Sequence, residues 1–183
     1  MPRAGLDQAR VVQAAAELAD EQGLQALTVA RLAERLGIRA PSLYAHVGGL
    51  DDLRRRIASA GAIRLAETLQ EAAAGRSGQD ALRAIADAYR AFAKAHPGSY
   101  AALQRADDRA DASAAGARVV GVLLAVLRGY GREGDAALHA VRAIRSALHG
   151  FVLLETGGGF GIPLDLDESF RCTVELLDRG LRG

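Results

Sequence analysis

The sequence predicts an all-α protein of about nine helices. Apolar residues, mostly alanine and leucine, recur at spacings of three and four along almost the whole chain, which is the period of one helix face. The alternation of apolar and polar residues that is typical of strands is scarce. Glycine and proline clusters divide the chain into segments of helical length.

The first three predicted helices lie close together near the N-terminus. The first covers about residues 7–22 and stops at Gly23, a residue suited to the left-handed conformation after a helix. Thr28 is the predicted N-cap of the second helix, because its hydroxyl can accept a hydrogen bond from a main-chain amide. Arg31 stands where a capping box has Glu, which leaves the Thr28 hydroxyl and nearby amides open to a phosphate.

Residues 28–47 contain a helix, a glycine turn and a short second helix within twenty positions. Gly37 allows a positive φ in the turn, and Pro41 fits the first turn of the second helix, where no main-chain hydrogen bond is lost. The apolar side of that second helix consists of Ile38, Leu43 and Val47. This pattern is typical of a helix-turn-helix, whose second helix enters the major groove of DNA.

The opposite side of the second helix therefore carries the predicted DNA contacts. Arg39 can pair with guanine, and Ser42 can contact a base or a phosphate. Tyr44 and His46 are predicted phosphate contacts, with packing inside the domain as the alternative for each. The full predicted set is Thr28, Arg39, Ala40, Pro41, Ser42, Tyr44, Ala45, His46 and Gly49.

The rest of the chain reads as further helices separated by polar or glycine-rich breaks. A long helix is expected from about residue 50 to 73, a helix ending at Pro97, and a short one carrying Tyr100. Residues 107–115 are predicted to form a polar loop. Two helices then lead to the three glycines that begin at Gly157, and Asp165 or Asp167 is expected to cap the last helix.

Residues 7–69 resemble the DNA-binding region of the TetR family of bacterial regulators, in an AcrR-like form, through the glycine turn and the Leu43-Tyr44-x-His46 pattern. The C-terminal half more loosely resembles a subgroup with Phe-Ala-x-x-His-Pro and Trp/Leu-His-Gly-Phe segments, here at 92–97 and 148–151. The resemblance implies a DNA-binding domain at 1–49, a connecting helix at 50–74 and an effector-binding and dimerisation domain at 75–183. Such proteins usually release DNA when a small molecule binds.

One position departs from the family pattern. Family members commonly carry a lysine at the start of the fourth helix, whereas this chain has Gly48, Gly49 and Leu50. We expect main-chain amides to hold the phosphate there, since glycines permit its close approach.

The resemblance also implies an effector pocket and a dimer interface. Inward apolar groups with a few polar ones line pockets in helical bundles. The predicted pocket residues are Tyr89, Phe92, Tyr100, Leu123, Leu127 and His149, with plain core packing as the alternative for each. The predicted interface, on the last two helices, consists of Phe151, Leu154, Phe170, Val174, Leu177 and Leu181.

Composition limits the other classes of function. The four histidines have no metal-site spacing, no Ser/His/Asp arrangement is visible, and Cys172 is expected to be a small buried hydrophobe. We expect no enzyme activity, cofactor, metal or membrane span, and a cytoplasmic location. The expected partners are double-stranded operator DNA, a small-molecule effector and a second copy of the chain. A helical carrier and an interaction module that has lost its operator remain as alternatives.

Overall fold

The computed structural model describes residues 6–105 and 110–183. Every regular element in these ranges is helical, which confirms the predicted all-α class. A short 3-10 turn, Leu24–Ala26, follows the first helix. The α-helices are α1 (Gln8–Gln22), α2 (Val29–Leu36), α3 (Ala40–Leu43), α4 (Leu50–Ala73), α5 (Gly78–Ala95), α6 (Pro97–Gln104), α7 (Ala110–Arg128), α8 (Gly134–Thr156) and α9 (Leu166–Arg182).

Three helices begin at acidic or hydroxyl N-caps. Asp7 accepts from the Arg10 amide, and Thr28 accepts from the Arg31 amide at 3.2 Å. Asp165 accepts from the amides of Asp167 and Glu168. The N-caps predicted at Thr28 and Asp165 are confirmed, because each side chain satisfies main-chain donors that the helix itself leaves open.

The predicted polar loop at 107–115 is wrong at its C-terminal end. Helix α7 begins at Ala110, and residues 106–109 lie outside the described residues. Alanines alternate with polar residues from Ala110 onward, and the high helix propensity of alanine outweighs the turn preference of aspartate and serine.

The chain divides into two compact units. The first unit comprises the described parts of Met1–Ile63 and Ala95–Gly116, and the second comprises Arg64–Lys94 and Ala117–Gly183. Helix α6 therefore belongs with the N-terminal helices, although it lies within the stretch predicted as the effector-binding domain. The physical reason is packing: Ala102 of α6 is 3% exposed and joins the same core as Val11, Leu32 and Ile57.

The second unit contains a partly buried charge cluster that joins α5, α8 and α9. Arg90 donates to both carboxylate oxygens of Glu155 at 2.7 Å and to Asp167 at 2.7 Å. Its guanidinium carbon lies 5.6 Å from the ring centre of Phe151 and 4.8 Å from that of Phe170. The hydrogen bond from Arg90 lowers the pKa of Glu155 to about 2. Both partners are thus satisfied inside a largely apolar surrounding.

Helix α9 turns one apolar side to the core of its own unit. Phe170, Val174 and Leu181 are buried there, and Asp178 is buried with a hydrogen bond from the Tyr130 hydroxyl at 2.6 Å. Cys172 lies on the outer side and is exposed, so its predicted burial is wrong. Among the described residues, no helix combines the length and apolar character that crossing a membrane requires.

Candidate DNA-binding surface

The turn between α2 and α3 depends on a left-handed glycine. Gly37 has φ 64° and ψ 34°, as predicted for this position, and its amide donates to the Glu34 carbonyl. The Ile38 amide donates to the Ala33 carbonyl at 3.0 Å, which closes the end of α2. A residue with a Cβ is strained at this φ, so glycine sets the angle at which the chain leaves α2.

Buried apolar side chains hold α3 and the turn after it against the rest of the first unit. Leu43 is 1% exposed and Val47 is 5% exposed, while Ile38 is half-buried against the same core. Pro41 lies in the first turn of α3, as predicted. The Gln8 side chain donates to the His46 carbonyl at 2.9 Å and ties the segment to the start of α1. The position of α3 is thereby fixed from both ends.

The outer side of this segment forms what we call the recognition surface. Five of its residues are exposed, namely Arg39, Pro41, Ser42, Tyr44 and Ala45, and two are half-buried, namely Ala40 and His46. Tyr44 is 61% exposed, so it does not pack on α1. Within the described residues, the side chains of Arg39, Ser42 and Tyr44 take part in no intramolecular hydrogen bond or ion pair. Their polar groups are available to an external partner.

The other arginines of α2 and α4 are engaged inside the chain. Arg35 donates to both oxygens of Glu21 at 2.7 Å, and Arg31 donates to the Gln22 side chain at 3.3 Å. The three arginines at 54–56 pair with Asp51 or Asp52 on the same helix. Arg39 is thus distinguished from these arginines by its lack of an acidic neighbour.

Asp52 organises the start of α4, a role that the sequence analysis missed. Its carboxylate accepts from the Gly48 amide at 3.0 Å and from the Arg56 guanidinium at 2.8 Å. The bond from Arg56, followed by that from Gly48, lowers the pKa of Asp52. The sequence did contain a signal for this capping role, because an acidic residue in the first helical turn stands three positions after Gly49.

This arrangement leaves fewer main-chain amides at the start of α4 for the expected phosphate contact. The Gly48 amide is occupied by Asp52, so it is not open to a phosphate. Gly49 precedes the helix with φ 109°, and helix geometry leaves the first amides after it without an intrahelical acceptor. Gly49 therefore stays the predicted contact, and Gly48 is excluded.

Thr28 lies exposed at the start of α2. Its oxygen accepts from the Arg31 amide, which leaves the hydroxyl hydrogen able to donate to a phosphate. The Arg31 side chain turns back to the carbonyl of Ala26 at 3.4 Å. The cap is complete without the glutamate of a capping box.

The predicted effector residues fall into both units. Tyr100 belongs to the first unit, and the other five belong to the second. Tyr89, Phe92, Tyr100, Leu123 and Leu127 are at most 6% exposed, whereas His149 is half-buried. Burial, with a further contribution from Arg145, lowers the pKa of His149, which favours its neutral imidazole.

The predicted dimer stripe is mostly the inner side of its helices. Four of its residues, namely Phe151, Phe170, Val174 and Leu181, are buried within the chain itself. Leu154 is 48% exposed and Leu177 is half-buried. The exposed apolar residues of α8 and α9 also include Leu153 and Leu176, at 52% and 63%, which the sequence analysis missed. The sequence pattern identifies apolar residues on α8 and α9, but it does not tell which apolar side of each helix packs against the core.

The geometry defines a helix-turn-helix protein with an exposed second helix, the class of DNA-binding regulators. Residues 11–57 match the family model described as "Bacterial regulatory proteins, tetR family", and residues 82–177 match "Tetracyclin repressor-like, C-terminal domain". The chain belongs to the TetR family. Members of this family are transcriptional regulators and not enzymes, which decides against the enzyme class.

Relatives and solved structures agree with this assignment. The chain is 38% identical to the uncharacterized HTH-type transcriptional regulator Rv0681 of Mycobacterium tuberculosis, over 97% of this chain and 83% of the relative. It is 36% identical to the uncharacterized HTH-type transcriptional regulator YobS of Bacillus subtilis, over 98% and 95%. A crystal structure of a TetR variant from Acinetobacter baumannii in complex with minocycline has a similar fold, with a TM-score of 0.74, 24% identity and coverage of 98% and 99%.

Proposed function

We propose that this protein is a ligand-responsive repressor that binds an approximately palindromic operator as a homodimer and releases it when a small molecule binds the second unit. The observation that carries the proposal is the recognition surface, where Arg39, Ser42 and Tyr44 project from a rigidly held helix without intramolecular partners. Arginine and serine at the start of such a helix are suited to base edges and phosphates.

The contacts divide into reading and positioning groups. Arg39 precedes α3, where a guanidinium can donate two hydrogen bonds to guanine, and Ala40 and Pro41 offer apolar contact to a thymine methyl. Phosphate contacts are assigned to residues at the adjoining helix ends and turns, namely Thr28, Tyr44, His46 and Gly49. The near-neutral N-terminal region, with eight basic and seven acidic residues through Arg56, makes these local contacts more important than bulk charge.

The effector site is proposed among the buried residues of the second unit. Tyr89, Phe92, Leu123 and Leu127 provide apolar surface, and a neutral His149 can both donate and accept a hydrogen bond. The minocycline complex of the Acinetobacter protein supports a small organic molecule as the effector class, since that protein shares this fold. Effector binding would favour a state of the dimer with low operator affinity.

The dimer interface is proposed on the exposed sides of α8 and α9. Leu153, Leu154 and Leu176 are each about half exposed or more, which is unfavourable for a helix that stays in water. Pairing of these helices across a two-fold axis would bury them and place two recognition helices on successive major grooves.

A mobility-shift titration tests the proposal. The purified protein is titrated against the DNA that flanks its own gene, with salt varied and a nonspecific competitor present. We expect a retarded complex that resists competitor and weakens steeply with salt, because bound phosphates release counterions. Failure on this DNA and in selection from random sequence would reject the regulator function and favour a carrier or an interaction module.

A further inference from the structure

Most arginines of the first unit already have an acceptor inside that unit. The arginines that donate to such an acceptor are Arg31, Arg35, Arg54, Arg55, Arg56 and Arg105. The last of them binds Gln25 at 2.9 Å, with the Gln25 amide oriented to accept. Among the described residues of this unit, Arg10 and Arg39 are the arginines whose side chains have no hydrogen bond or ion pair. Arg39 belongs to the recognition surface, whereas Arg10 lies in the first turn of α1.

Arg10 stays unpaired although an acidic residue stands at the right spacing. Asp7 is three positions earlier, but its carboxylate accepts from the Arg10 main-chain amide at 2.7 Å and so caps α1. Gln13, three positions later, donates to Glu17 at 2.9 Å. The Arg10 side chain is exposed, and the polar groups next to it on α1 are engaged elsewhere. Its guanidinium is therefore available to an external anion.

The first turn of α1 borders the recognition surface. The Gln8 side chain donates to the His46 carbonyl at 2.9 Å, and His46 lies at the end of that surface. Arg10 follows Gln8 by two residues, so their Cα atoms are about 5 Å apart. Helix side chains lean towards the N-terminus of their helix and cover the preceding turn. This geometry directs the long Arg10 side chain to the end of α1 that meets the recognition surface.

A phosphate of the DNA backbone is the anion that suits this position. The N-terminal region has eight basic and seven acidic residues through Arg56, and five of those basic side chains are bonded inside the chain. The described unpaired cations, Arg10 and Arg39, therefore account for much of the attraction that this unit can offer to DNA. Arg10 does not lie on the helix that enters the major groove, which favours a backbone contact over a base contact.

We propose that the first turn of α1 is a further DNA-binding element and that the Arg10 guanidinium binds one backbone phosphate in each half-site. This phosphate lies at the edge of the stretch that α3 contacts. The contact strengthens binding to any sequence and carries no base preference. The inference rests on the proposed function and adds to it a phosphate-binding residue outside the helix-turn-helix.

The salt dependence of DNA binding tests this contact. Operator DNA recovered by selection is titrated with the unmodified protein and with Arg10→Gln at a series of salt concentrations. The slope of log Kd against log salt should fall by about one for each half-site, because each lost phosphate contact releases about one counterion fewer. Binding should weaken about tenfold, equally on the operator and on its single-base variants. Thermal unfolding should be unchanged, since the Arg10 side chain has no described intramolecular partner to lose.

Two further variants separate a contact from a change in net charge. Arg10→Lys keeps the cation, so it should keep the salt slope of the unmodified protein. Arg128→Gln removes the same charge from an exposed position of α7 and should also leave the slope unchanged. An equal fall in slope with Arg128→Gln and Arg10→Gln would overturn the proposal, because net charge alone would then explain the effect.

Ethylation interference locates the contact on the DNA. Ethylation removes the charge of one phosphate at a time, and Arg10→Gln should become insensitive to it at one position of each half-site. The same interference pattern or the same salt slope in both proteins would overturn the role of Arg10 and leave the proposed function intact. Failure of the unmodified protein to bind any DNA, even at low salt, would reject the proposed function and this contact with it.

Discussion

At the scale of single residues, the recognition surface depends on the polar side chains of Arg39, Ser42 and Tyr44. These side chains are exposed and have no intramolecular partner among the described residues, and all three were predicted at the DNA surface. Asp52 was not singled out, although its place in the first helical turn was a local signal. Asp20 was not singled out because its partners lie on a distant part of the chain. The bond from Ser99 to Asp20 spans 79 positions, and local spacing carries no trace of it.

Arg39→Ala should weaken operator binding by about 1–3 kcal/mol if the guanidinium reads a base. The loss should be concentrated on one base position, with a nearly unchanged salt dependence, since a phosphate contact would instead weaken all sequences alike. Operator titrations at several salt concentrations, with single-base variants of each half-site, measure both effects. Arg128→Ala, at an exposed position of α7, is the control and should bind as the unmodified protein does. Equal affinity of Arg39→Ala and the unmodified protein would rule out the base-reading role.

Glu155→Gln should destabilise the protein by about 3 kcal/mol at pH 7, since it removes the negative charge and one of the two acceptor oxygens that Arg90 and Lys94 share. The pKa of Glu155 is lowered from 4.5 to about 2, so its stabilisation is complete above pH 4.5 and lost as the pH falls towards 2. The difference between variant and unmodified protein should therefore shrink over that interval. Urea unfolding at a series of pH values measures it.

The control for Glu155 is Glu168→Gln, an exposed carboxylate paired with Arg171. We expect less than about 1 kcal/mol there, as for other surface ion pairs. A loss in Glu155→Gln no larger than that of the control would show that the cluster does not stabilise the second unit.

At the scale of elements, the sequence predicted helix boundaries correctly where an N-cap residue or a glycine fixes them. Helix α4 was predicted at about residues 50–73, and α2 after its Thr28 cap, and both predictions are confirmed. The start of α7 was missed because aspartate and serine suggested a loop in a stretch where alanine determines the structure. The placement of α6 in the first unit was missed because it depends on packing between main chains, which no periodicity encodes.

Gly37→Ala should cost about 1 kcal/mol of stability, because φ 64° is strained for a residue with a Cβ. It should lower operator affinity as well, since a change in the turn reorients α3. Thermal unfolding and operator titration together measure the two effects. Gly121→Ala, in a regular helical position, is expected to be neutral or stabilising. A Gly37→Ala protein as stable as the unmodified one would contradict the importance of the left-handed turn.

At the scale of the whole molecule, the predicted class of protein is confirmed, whereas the dimer surface stays a prediction. The resemblance to the TetR family was found in the sequence through a local pattern near the N-terminus, in the predicted DNA-binding domain. The dimer surface was predicted from the strongest apolar stripe of α9, yet that stripe faces the core of its own unit. A helix in a bundle often has two apolar sides, and only the three-dimensional structure shows which one remains exposed.

Leu154→Glu tests the proposed interface. In a two-fold interface each copy would bring one charge into an apolar contact, so we expect the dimer to weaken by more than about 3 kcal/mol, or a hundredfold in Kd. Analytical ultracentrifugation measures the change, and operator affinity should fall with it because two half-sites no longer act together. Ala125→Glu, at an exposed position of α7, is the control. A Leu154→Glu protein with an unchanged dimer constant would place the interface elsewhere.

The central claim is that the recognition surface reads a specific DNA sequence. Selection from a random-sequence DNA library, carried out in parallel with the unmodified protein and with Arg39→Ala, tests it most directly. We predict that the unmodified protein enriches an inverted repeat with half-sites about one helical turn apart. We also predict that Arg39→Ala relaxes the preference at one base of each half-site. No enriched sequence, or the same enriched sequence with both proteins, would contradict the account.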